Sequence, residues 1–88
     1  MSKSIDRYPV KVSRELKYQR NHHMEPRVRH MIGIVYFYAK GLSDLQIADI
    51  EQLPESLIHA IVKTYEQGGI RALENSAFLS EEDRRGTP

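Results

Sequence analysis

The stretch from Gly41 to Gln67, GLSDLQIADIEQLPESLIHAIVKTYEQ, constrains this chain more than any other, because it carries two helix starts with almost nothing between them. Ser43 stands where an N-cap belongs and Gln46 falls three residues later, the spacing of a capping box that satisfies two orphan backbone donors. A helix is therefore expected from Ser43 to Ile50, with Ile47, Ala48 and Ile50 as its apolar stripe. Glu51 to Leu53 forms the turn. Pro54 has no amide hydrogen and a φ fixed near the helical value, so it suits the first position of a second helix and nothing deeper. Leu57, Ile58, Ile61, Val62 and Tyr65 recur at helical spacing along that second helix, and Gly68-Gly69 stops it near Gln67 by offering a left-handed end. Two helices joined by so short a turn must cross rather than lie side by side.

From about Arg29 to Leu73, half of the chain, these residues resemble the N-terminal helix-turn-helix of mariner-like and related insertion-sequence transposases, a homeodomain-like three-helix class. The shared features are Gly41-Leu42-Ser43, the pair Ile47-Ala48, the uninterrupted spacing to the second helix, and the ending Lys63, Tyr65, Gly68-Gly69-Ile70 and Leu73. The chain departs from the family at Gln52, where Gly is usual, at Pro54, where Ser is usual, and along Glu55, Ser56, Leu57, His59 and Ala60, where Arg, Ser, Thr or Tyr commonly face the bases. Pro26 suits the first turn of a first core helix that runs to about Lys40 and ends at the C-cap glycine Gly41, and the resemblance implies that its His30, Ile34 and Phe37 turn toward the other two. It also implies double-stranded DNA as partner. The helix from Pro54 would enter the major groove with Ser56, His59 and Lys63 nearest the bases or phosphates, Glu55 accepting from a cytosine amino group, and the helix end at Ser43 against a phosphate.

Eighty-eight residues allow one domain with a modest core, and a transposase catalytic domain does not fit in the remainder. With no cysteine, neither disulfides nor a cysteine-ligated zinc holds the fold. The longest apolar run, Ile34 to Ala39, is too short to span a membrane, and no signal peptide is present, so a cytoplasmic protein is expected, nucleoid-associated if it binds DNA. His22 and His23 point in different directions on a helix and have no carboxylate at ligand spacing, so they read as a solvated pair with no metal and no cofactor. Ser, His and Asp occur without a placement that singles out a nucleophile and its base, which argues against an enzyme.

The net charge of +1 conceals an asymmetry. Lys3, Arg7, Lys11, Arg14, Lys17, Arg20, Arg27 and Arg29 face only Asp6, Glu15 and Glu25 in residues 1–30, whereas residues 31–88 carry nine carboxylates against Lys40, Lys63, Arg71, Arg84 and Arg85. Phosphate contacts must therefore come mainly from the N-terminal region, through Arg14, Arg20, Arg27 and Arg29, supplemented by Lys40, Lys63 and Arg71. Tyr8, Val10 and Val12 alternate with Pro9 and Lys11, the pattern of an extended edge or arm, which either lies along the minor groove or, the reading favoured, simply covers the helices; Ser13 to Arg20 allows a helical turn or two around Leu16 before Asn21-His22-His23 breaks it.

The organisation expected is all-α: residues 1–25 a basic N-terminal extension, 26–79 a three-helix homeodomain-like helix-turn-helix domain, and 80–88 a disordered tail. Its core would comprise Ile34, Phe37, Leu42, Ile47, Ile50, Leu53, Ile58, Val62 and Tyr65, with Ile70, Leu73, Phe78 and Leu79 as later anchors. The first core helix carries more apolar surface than three helices need, so the N-terminal segment, a fold-back of Ile70 to Leu79, or a homodimer through Tyr36 and Tyr38 must cover it. The function expected is that of a DNA-binding transcriptional regulator or mobile-element accessory protein. The alternative is a helix-turn-helix that docks a protein partner or its own copy through Leu57, Ile58 and Ile61.

Overall fold

A computed structural model describes residues 6–80, all of whose regular structure is helical. Four helices follow one another: α1 Val10–His22, α2 Pro26–Ala39, α3 Asp44–Glu51 and α4 Glu55–Glu74. The expected tail lies almost wholly outside the described residues.

The N-terminal region departs from expectation. Val10 to Val12 are not an extended arm but the first turn of α1, and Asn21 and His22 continue that helix instead of breaking it. Alternation over five residues was a weak signal, whereas Val12, Leu16 and Arg20 recur at a spacing of four across three turns, which puts them on one face. Pro9 precedes the helix and its carbonyl accepts from Val12 and Ser13, so the proline starts the helix rather than marking a sheet edge. His22 closes it by donating from Nδ1 to the Tyr18 carbonyl, 2.8 Å away, with its ring stacked on Tyr18 at 4.1 Å. After a short turn α2 runs back along α1, so that the Arg7 amide meets the Ala39 carbonyl at 2.8 Å.

α2 is the centre of the fold. Val28, Met31, Ile32, Ile34, Val35 and Ala39 are all fully buried, on more than one side of the helix, because α1 covers one side while α3 and α4 cover another. The apolar surplus is thus covered by the chain itself. Tyr36 lies beneath the Arg20 guanidinium at 5.0 Å, and Tyr38 lies beneath that of Arg7 at 4.0 Å and beside the Tyr8 ring. The end of α2 forms a Schellman motif: Leu42 donates to the Phe37 carbonyl and Gly41 to the Tyr38 carbonyl, with Gly41 at φ 103°.

α3 begins with the expected capping box, Gln46 N–H donating to Ser43 Oγ at 3.1 Å and Ser43 N–H to Gln46 Oε1 at 2.9 Å. Its inward stripe is Asp44, Ile47, Ala48 and Glu51, which share one helical face. Ile50 falls off that stripe and is 54 % exposed, correcting its place in the expected core. Phe37, Leu42, Leu53 and Tyr65 pack against the core half-buried, and Leu16, Val28, Met31, Ile32, Val35, Ala39, Ile61 and Leu73 complete it.

Pro54 stands one residue before α4, whose first free amides, those of Leu57 and Ile58, donate to the Pro54 carbonyl. Gly68-Gly69 ends the first helical run of α4, as expected, and turns the chain. Gly69 takes φ 71° and ψ −163°, a conformation open only to glycine, and helical geometry then resumes to Glu74. The bend carries Leu73 and Leu79 onto the core, where Arg27 pins the segment by donating to the carbonyls of Phe78 and Glu74.

Candidate nucleic-acid interface

α3 and α4 are joined by Gln52, Leu53 and Pro54 alone. Gln52 adopts φ 61° and ψ 43°, and its amide and that of Leu53 both donate to the Ala48 carbonyl, which closes α3 and turns the chain sharply. Gln52 therefore takes the left-handed geometry that favours glycine, and its side chain donates to the Asp49 carbonyl at 3.1 Å. Pro54, extended and without an N–H, then aims α4 across α3.

On α4 the exposed residues Glu55, Ser56, His59 and Lys63 share one outward stripe, opposite the buried Ile58, Ile61 and Val62. Glu55, Ser56 and Lys63 have no hydrogen-bond or ion-pair partner among the described residues. His59 is held: its Nδ1 lies 3.1 Å from Asp44 Oδ2 at the start of α3. Ser43 sits at the same end, exposed, with its hydroxyl already committed to the capping box. Ile58 and Ile61 are fully buried, so they are not available to a protein partner as the docking alternative required; the exposed large apolar residues nearby are Leu45 and Ile50 on α3.

His59–Asp44 is one of three links of the same kind. His30 Nε2 meets Glu51 Oε1, joining α2 to α3, and His23 Nε2 meets Glu74 Oε2 at 2.7 Å, joining the α1–α2 turn to the end of α4. The His23 side chain is only 12 % exposed, so the expectation of a solvated histidine pair holds for His22 and fails for His23. Asp44 and Glu51, the two ends of the inward stripe of α3, thus each find an imidazole on the facing helix. Among the described residues no three His, Asp or Glu side chains gather closely enough to hold a metal ion.

The basic residues divide into two groups. Arg20 covers Tyr36, Arg27 holds the C-terminal segment, and Arg29 donates to the carbonyls of His23 and Met24, so three of the expected phosphate contacts carry internal bonds. Arg7 donates to the carbonyls of Tyr38 at 2.8 Å and Leu42 at 2.6 Å, and Lys40 pairs with Asp6 at 3.2 Å. Lys11, Arg14, Lys17, Lys63 and Arg71 are exposed without such partners among the described residues. Lys11 and Lys17 were not among the expected contacts; their spacing of three from Arg14 on either side would have found them had α1 been read as a helix. Neither a family model, nor a curated protein, nor a solved structure matches the chain.

Next to this surface Tyr8 fits between Tyr38 and Tyr65, ring centroids 6.2 and 5.9 Å away, and donates its hydroxyl to Glu66 at 2.9 Å. Burial, then the bond to Glu66, raises the Tyr8 hydroxyl far above its ordinary range. Burial, then the nearby Glu15, raises that of Tyr65. The cluster fixes α1, α2 and α4 to one another behind the α2–α3 corner.

Proposed function

We propose that the chain is a small DNA-binding module of regulator or mobile-element accessory type, in which α2, α3 and α4 serve as the three helices of a homeodomain-like unit and α4 enters the major groove. The observation that carries this is the α3–α4 connection. Three residues, a left-handed Gln52 and an amide-free Pro54 cross the two helices while leaving an outward polar stripe on the first half of α4. Ser56 and Lys63 are the unpaired donors on that stripe, Glu55 is an acceptor suited to a cytosine amino group, and His59 is oriented from behind by Asp44. Lys40, at the α2–α3 corner, lies beside the backbone when α4 is in the groove.

A second reading draws on Leu45 and Ile50, 64 % and 54 % exposed on α3, which give a protein partner an apolar foothold beside α4. A gel-shift series on random-sequence duplex DNA at low and moderate salt, run beside a measurement of solution mass, separates the two. Retention that weakens with salt and a changed base preference in Glu55→Gln support the module as a DNA reader. Absence of retention at low salt with a mass above that of one chain moves the function to the α3 surface.

A further inference from the structure

Among the ten described basic residues, five are spent on internal carbonyls, rings or Asp6, and three of the remaining five stand together on α1. Lys11, Arg14 and Lys17 follow one another at intervals of three, so they wind along one exposed side of the helix, which exposed Tyr18 and Asn21 continue beyond Lys17. Among the described residues Glu15 and Asp6 are the carboxylates bordering that side, Asp6 paired with Lys40 in the hollow that Arg14 and Lys17 also line. Leu16, on the opposite side of α1, is buried against the fold.

We propose that this side of α1 is the phosphate-binding surface of the protein and that it takes the backbone of a nucleic acid; the inference rests on the DNA-binding reading and names its electrostatic contacts. α4 cannot supply them, since on its outward stripe Lys63 is matched by Glu55. Lys11 to Lys17 span about 9 Å of helix axis at 1.5 Å per residue, and phosphates recur every ~3.4 Å along one strand, so the three cations meet two or three phosphates. An anionic membrane is the poorer fit. A helix lying in a lipid interface needs a free apolar face, and that of α1 is already buried against α2. The helix is rigidly docked through Leu16, so the charges are presented without the ordering cost that a loose arm would carry.

The test is the triple substitution Lys11→Gln, Arg14→Gln, Lys17→Gln in the full chain, followed by fluorescence anisotropy on a random-sequence duplex as salt is raised. Each lost phosphate contact lowers the slope of log affinity against log salt by about one, so a fall of about two to three is expected, with an unchanged circular dichroism spectrum because all three side chains are exposed. The single variant Lys63→Gln lowers the slope by no more than about one. If the unmodified protein binds duplex and the triple variant keeps its full slope, the inference is overturned while the DNA-binding reading stands. If the unmodified protein is not retained by duplex at low salt, both are overturned. Binding to phosphatidylserine vesicles, lost in the triple variant while duplex binding persists unchanged, overturns it in favour of a membrane.

Discussion

Replacing Leu16 by Ala asks whether α1 is part of the fold or an appendage to it. Leu16 is the largest α1 side chain with no exposed surface, and it packs in the same cluster as Met31, Ile32 and Val35 of α2. Truncating a fully buried leucine removes transfer free energy and leaves a cavity, together about 2 to 5 kcal/mol. A chain of this size has roughly 4 to 13 kcal/mol in all, so the substitution removes a large share. At 4 to 8 °C per kcal/mol for a domain of this class, even the low end lowers the melting temperature by about 10 °C. Urea denaturation followed by circular dichroism reads the effect as a lower midpoint at constant slope. Ile50→Ala serves as the control: at 54 % exposure it should stay within about 0.5 kcal/mol of the parent. An unchanged midpoint for Leu16→Ala, or a larger effect at Ile50 than at Leu16, would refute the packing argued for α1 and α3.

Gln52 holds a left-handed conformation that costs a residue with a Cβ about 1 to 2 kcal/mol, so Gln52→Gly should raise stability by about 0.5 to 1 kcal/mol after the unfolded chain's added freedom is deducted, and an equal or lower urea midpoint would count against the turn geometry. Tyr8 and Tyr65 titrate above their ordinary value of about 10, so the stability they confer as neutral phenols is complete below that pH and is lost as pH rises through it. Tyr8→Phe should therefore flatten the fall in urea midpoint on the alkaline side of pH 10, and a fall of undiminished steepness would show that other groups drive it.

The three helices from Pro26 onward were legible because their boundaries are set by local chemistry. Ser43 with Gln46, Gly41 and Pro54 each satisfy or forgo backbone hydrogen bonds within a few residues of themselves, whatever surrounds them. α1 was not legible for the opposite reason. Its single fully buried apolar side chain, Leu16, stabilises a helix only once α2 is there to receive it, and Pro9 with the alternating Tyr8, Val10 and Val12 imitates an edge strand locally. Ile50 illustrates the same limit, since a helix of two turns gives periodicity too few repeats to tell the inward stripe from its neighbour. Of the α4 residues that the resemblance turned outward, Glu55, Ser56 and His59 are exposed, whereas Leu57 and Ala60 are half-buried. The division of the basic residues was not legible, because whether an arginine meets a phosphate or a carbonyl of its own chain is decided by tertiary contacts such as that between Arg27 and Phe78.

This division also determines which perturbation can test the electrostatics. Removing residues 1–20 would delete Lys11, Arg14 and Lys17, but with them Leu16, the Arg7 donors to the end of α2, and the Tyr8 hydroxyl that reaches Glu66. A loss of DNA binding after such a truncation would therefore mix lost charge with a loosened α2–α3 corner, the place where Lys40 and Ser43 are held. Neutralising the exposed cations singly or together leaves those contacts in place, because none of the three side chains has an internal partner. Neutralising Arg27 or Arg29 instead breaks bonds that position the C-terminal segment and the α1–α2 turn, so any loss of binding there should be accompanied by a lower urea midpoint. Stability and salt slope measured on the same variants thus assign each basic residue to the fold or to the ligand.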